Sequence, residues 1–148
     1  MQGITGLGHV AIKVTDLDRS LDYYVNKLGF AEMMRLNKDD GSVWLVYLRI
    51  TADQYLEVFP GAENDRAPGW NANGLNHVCL TVDNIDPVLA QLAAKGLTLL
   101  LPLKTAIDGN RQAWLEDPDG NRIELMEMAP DSLQYKAIKR LRSERTPA

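Results

Sequence analysis

At 148 residues, 45% of them hydrophobic and 24% charged, the chain is long enough to bury a core, and residues 1–148 are expected to form a single domain. A net charge of −4 argues against a nucleic-acid partner, which selects for a basic face. No apolar run approaches the roughly 20 residues that span a bilayer, the N-terminus lacks the regions of a signal peptide, and the single Cys79 closes no intramolecular disulfide. The expectation is a cytoplasmic protein with neither a nucleic-acid nor a membrane partner.

The first module is expected over residues 5–60. It opens on "GLGHVAIKV", where Val10, Ile12 and Val14 alternate with His9, Ala11 and Lys13 as the two faces of a strand. Leu17, Leu21, Tyr24 and Leu28 then follow helical spacing, with Asp16 as N-cap and Gly29 as the left-handed C-cap residue. Three strands are expected at residues 30–36, 42–50 and 54–59, separated by the turns "NKDDG" and "TAD". Residues 61–73, polar and rich in Gly and Pro, read as a linker.

The second module, residues 74–128, begins "GLNHVCLTV". Its helix carries Ile85, Leu89 and Leu92 on one face, with Asp86 as N-cap, Pro87 in the first position and Gly96 at the end. Strands are expected at residues 97–101, 111–116 and 122–128, the last two joined by the hairpin turn "DPDG". Residues 129–148 form a basic tail with helical character.

The chain is thus written twice. At an offset of 68, Gly6, Leu7, His9, Val10, Val14 and Asp18 face Gly74, Leu75, His77, Val78, Val82 and Asp86; at 67, "YLEVF" faces "RIELM". Duplication explains why apolar positions recur, but not why a Glu interrupts an apolar strand at the same place twice. A buried carboxylate without a partner is costly. Strand alternation puts His9 with Glu57, and His77 with Glu124, on the side of each sheet away from its helix. Two imidazoles and two carboxylates suit one divalent cation of the Ni²⁺, Co²⁺, Zn²⁺, Mn²⁺ or Fe²⁺ type. Lys13 and Arg111 are candidates for an anionic substrate end, or for solvated strand charges. Trp44, Tyr47 and Trp114 either line the same face or pack in the core.

The stretches "GHVAIKVTDLDRSLDYYVNKLGF", "GLNHVCLTV" and "EDPDGNRIELME" resemble the vicinal oxygen chelate superfamily, which includes glyoxalases, bleomycin-resistance proteins and extradiol dioxygenases. That resemblance implies an α+β fold of two paired βαβββ modules forming a curled, mixed-sheet cup. It also implies metal ligation by His9, Glu57, His77 and Glu124, and frequent homodimerisation. The four-ligand set is most similar to that of glyoxalase I. It implies a lyase or isomerase that takes a small vicinal-oxygen substrate, such as a hemithioacetal, through an enediolate, with Glu57 or Glu124 moving the proton. Glyoxalase I commonly holds glutathione with an Arg four residues after its first ligand, where this chain has Lys13. Other readings of the same cup are an epimerase, an epoxide-opening enzyme, a dioxygenase, or a non-catalytic small-molecule binder.

Overall fold

The structure, a computed structural model, describes residues 3–144 and has the expected α+β fold of two βαβββ modules. The first module runs β1 (His9–Val14), α1 (Leu17–Leu21), β2 (Ala31–Asn37), β3 (Val43–Arg49) and β4 (Tyr55–Pro60). The second runs β5 (Val78–Val82), α2 (Ile85–Ala94), β6 (Leu101–Thr105), β7 (Arg111–Glu116) and β8 (Arg122–Glu127), and is followed by α3 (Leu133–Glu144). Each module makes one mixed four-stranded sheet, ordered β1-β4-β3-β2 in the first and β5-β8-β7-β6 in the second. The first and last strands of each module lie parallel at its sheet's centre and edge, and the other pairings are antiparallel. Among the described residues, no helix is long and apolar enough to cross a membrane.

Two compact units form. One runs to Ala67 and takes in Pro118–Gly120; the other holds Pro68–Asp117 and the chain from Asn121. In the first unit Val14, Val46, Leu48 and Val58 are fully buried, and in the second Ile85, Ala113 and Leu115 are. All but Ile85 are strand residues pointing to the helix side, which leaves His9, Glu57 and Glu124 on the opposite face. Within the first unit, Asp119 is buried and its carboxylate accepts hydrogen bonds from the side chains of Thr15, Arg19 and Ser20. This carboxylate anchors residues 118–120 to the end of β1 and the start of α1.

Four local expectations change. The first helix is regular only to Leu21 and continues as a π-helical turn, Asp22–Lys27, in which Leu28 N–H donates to the Tyr23 carbonyl. The wider turn buries the adjacent pair Tyr23 and Tyr24 together. The second helix is capped by Asn84, whose side chain accepts from Asp86 N–H, so Asp86 is not the cap. Pro87 is tolerated in that first turn because the N–H it lacks would have had no helical partner.

The strand expected at 97–101 lies instead at Leu101–Thr105 and contains Pro102. It is an edge strand with a register shift between Leu101 and Lys104, where a proline costs no ladder hydrogen bond. His77, expected inside a strand, stands one residue before β5.

Candidate functional site

In the first unit, β1 and β4 are in parallel register with Ala11 opposite Glu57. This brings His9 Nε2 to 3.3 Å from Glu57 Oε2. Glu57 is 6% exposed although it is charged. Across the antiparallel β3–β4 pair it faces Tyr47, whose hydroxyl donates to it. That hydrogen bond, with desolvation and the nearby negative charge, holds the Tyr47 phenol above its ordinary pKa of 10.0. The His9 and Tyr47 rings meet edge to face at 6.3 Å.

The second unit repeats the pair and surrounds it differently. His77 Nε2 lies 3.1 Å from Glu124 Oε2, and Glu124 is 8% exposed. Glu124 Oε1 accepts from Gln112 Nε2 at 2.9 Å, and Gln112 Oε1 in turn accepts from Trp114 Nε1 at 3.0 Å. Cys79 faces Glu124 across the β5–β8 register; burial, and then the charge and hydrogen bonding of Glu124, push its thiol pKa up to about 12. The thiol therefore stays protonated at neutral pH.

Asn76 settles the orientation of the second imidazole. Its Nδ2 donates to the Trp70 carbonyl at 3.1 Å, so its Oδ1, 2.9 Å from His77 Nδ1, is left to accept from that nitrogen. With Nδ1 protonated, the lone pair of a neutral His77 Nε2 points at a carboxylate oxygen. Two electron-pair donors at 3.1 Å need a cation between them, either a proton or a metal. The donor chemistry of the pair thus fits a borderline divalent ion. Among the described residues, no three or more His, Cys, Asp or Glu side chains form a metal cluster; each unit shows one His/Glu pair.

The remaining candidates fall in different places. Lys13 is exposed on the His9 face of β1. Arg111 makes two hydrogen bonds to Asp86, at 2.8 and 2.9 Å, and contacts Glu127 at 3.2 Å. Glu127 also accepts from Ile85 N–H at 2.7 Å, so this cluster ties β7 and β8 to the start of α2. Tyr47 and Trp114 belong to the two pairs, whereas Trp44 is exposed and packs its edge against Phe59. Sequence reasoning missed Gln112, Asn76 and Trp70. The available signal was the indole in "APGWNANG", an apolar ring in a polar linker that needs something to hold it.

Comparison with known proteins identifies the family of the fold. The chain is 28% identical to the uncharacterized protein YwkD of Bacillus subtilis over 126 residues, covering 84% of this chain and 98% of that protein. It is 25% identical to a lactoylglutathione lyase of Pseudomonas aeruginosa, with 80% of each chain covered. Its fold matches the crystal structure of a glyoxalase family protein from Enterococcus faecalis with a TM-score of 0.73 at 29% identity, covering 82% of this chain and 97% of that one. Residues 6–125, most of the chain, match one family throughout, and the chain belongs to the Glyoxalase/Bleomycin resistance protein/Dioxygenase superfamily.

Proposed function

We propose that the chain is a divalent-metal-dependent lyase or isomerase of the glyoxalase I type, acting on a small vicinal-oxygen substrate such as a hemithioacetal. His9, Glu57, His77 and Glu124 would be the ligands of one ion. The observation that carries this reading is the repeated pairing of an imidazole Nε2 with a mostly buried carboxylate, at 3.3 and 3.1 Å. The similarity to proteins named lactoylglutathione lyase supports the reaction type.

When bound, the ion would supply Lewis acidity that makes the C–H of the hydroxyl-bearing carbon, next to the carbonyl, acidic. The chain's own part is to hold and move one proton. A carboxylate oxygen of Glu57 or Glu124 takes it from one substrate carbon and returns it to the next, so that a hemithioacetal becomes a thioester with no external oxidant. Low exposure of both carboxylates keeps bulk water from competing for that proton. Asn76 holds His77 with Nε2 free to ligate, and Gln112 and Tyr47 orient the carboxylates. Assembly as a homodimer belongs to the same proposal.

The test reconstitutes the protein with Ni²⁺, Co²⁺, Zn²⁺ or Mn²⁺ and follows thioester formation from methylglyoxal hemithioacetals of several thiols. Several thiols are needed because Lys13 lacks the bidentate fork of an arginine. Thioester formation that disappears in both Glu57→Gln and Glu124→Gln is the expected result. Absence of divalent-ion binding, or ion binding without thioester from any thiol, overturns the proposal.

A further inference from the structure

Beside the second His/Glu pair lies a run of rings that the proposed chemistry does not use. The His77 ring meets Trp114 at 4.8 Å between centroids, and Trp114 meets Trp70 at 5.2 Å, both edge to face. Trp114 is buried, but Trp70 keeps 46% of its surface exposed. An indole in a Gly- and Pro-containing segment would ordinarily be free to fold away from water. Here the guanidinium of Arg122 sits 4.4 Å over the Trp70 ring.

Arg122 is itself only 7% exposed and is held by two backbone carbonyls, its Nε donating to Asn76 O and its guanidinium NH1 to Pro68 O, each at 3.0 Å. Asn76 closes the arrangement. One residue bonds the Trp70 carbonyl, orients His77 and accepts from Arg122, so the indole, the proposed ligand and the cation are fixed by a common anchor. A large apolar surface is therefore held open to solvent at a set position, one ring removed from His77. Holding it there removes in advance the ordering cost that a loop side chain would incur on meeting a ligand.

We infer that Trp70 is a stacking platform for a planar, conjugated substituent of the substrate, so that among vicinal-oxygen compounds an aryl-bearing one is favoured over its aliphatic counterpart. The placement of this platform relative to the chemistry rests on the proposed function, since it takes His77 as a ligand. The platform itself does not depend on the ion. A well-stacked ring contributes up to about tenfold in affinity, or about 1.4 kcal/mol.

The experiment uses mandelate and lactate, which share the vicinal-oxygen group and differ in the phenyl ring. They are titrated into the full-length protein with and without bound Co²⁺. In the metal-free protein, the indole N–H resonance of Trp70, identified by its loss in Trp70→Phe, is expected to shift with mandelate and not with lactate. In the Co²⁺ form, calorimetry is expected to give mandelate a roughly tenfold lower Kd than lactate. That ratio should fall below about twofold in Trp70→Ala and be retained in part in Trp70→Phe, with the lactate Kd unchanged.

No Trp70 shift with mandelate, or an aryl preference that survives in Trp70→Ala, overturns the inference. Failure to bind any divalent ion sinks the proposed function while the metal-free titration still decides this point. Thioester formation without a Trp70 shift leaves the proposed function standing and removes the platform.

Discussion

Replacing Gln112 with Leu isolates the structure that holds Glu124. The substitution is a conservative one for the sheet, because Leu45 occupies the matching place in the first module, two residues before the residue opposite the Glu, and is buried there. It removes a 2.9 Å hydrogen bond to a carboxylate and deprives Trp114 Nε1 of its acceptor at 3.0 Å. A hydrogen bond to a charged group contributes about 1.5–3 kcal/mol, and freeing the side chain costs the oriented oxygen rather than the charge. Loss of an outer partner of this kind weakens metal binding about 10- to 100-fold, or about 1.4–2.7 kcal/mol.

The two magnitudes agree, so the expected result is a Kd for Co²⁺ or Ni²⁺ raised by one to two orders of magnitude on calorimetric titration of metal-free protein. Tyr47→Phe should do the same through Glu57, since the Tyr47 hydroxyl is the donor on that side. An affinity within about threefold of the unmodified protein, in a Gln112→Leu variant with a native far-UV circular dichroism spectrum, would refute the idea that this network positions a ligand.

Other perturbations separate structural from chemical roles. Asp119→Ala leaves the Thr15 hydroxyl and the Arg19 guanidinium without their shared carboxylate and should lower unfolding stability in urea by about 1–3 kcal/mol; Asp119→Asn, which keeps an acceptor, should lose less, and equal losses would contradict the assignment. Arg111→Gln should leave KM unchanged if the guanidinium is a clamp, and raise it if it meets an anionic substrate.

The same Arg111 pair gives a pH signature. The Arg111 hydrogen bonds hold the Asp86 carboxyl below its ordinary 3.8, so the stability they add is present above that value. It should be lost as pH falls through the lower folded-state pKa, and a wild-type minus Arg111→Gln difference that persists in stronger acid would be inconsistent. In metal-free protein, Cys79 with its thiol at about 12 should react with iodoacetamide at pH 8 on the order of a hundredfold more slowly than free cysteine. A rate within about threefold of free cysteine would contradict a thiol held that high.

The legible part of this molecule is what period-two alternation and duplication write directly. Val10, Ile12 and Val14 had to face a helix, so His9 had to face away. The same count on "YLEVF" and "RIELM" put each Glu beside its His, as the distances in each unit show. Illegible features depend on partners distant in sequence or on sheet position. Pro102 excludes a central strand but not an edge, and nothing local says that β6 is an edge. Asn84 and Asp86 are both good caps, and the choice between them turns on Glu127 reaching Ile85 N–H from 42 residues away. Trp70 looked like linker because Arg122, which sits over its ring, comes from β8, far along the chain.

Duplication also hid a difference. Aligning the modules on their carboxylates sets Leu45 against Gln112, Tyr47 against Trp114, and Ala11 against Cys79. The His/Glu pair is the same in each half, but the other side chains that face the carboxylate have changed type. A phenol faces Glu57, and an amide and a thiol face Glu124. A proton-transferring carboxylate must leave one set of partners to reach carbon, and each donor raises the cost of leaving. Any division of labour between Glu57 and Glu124 must therefore be set at those three position pairs, and exchanging all three between the modules should exchange the roles.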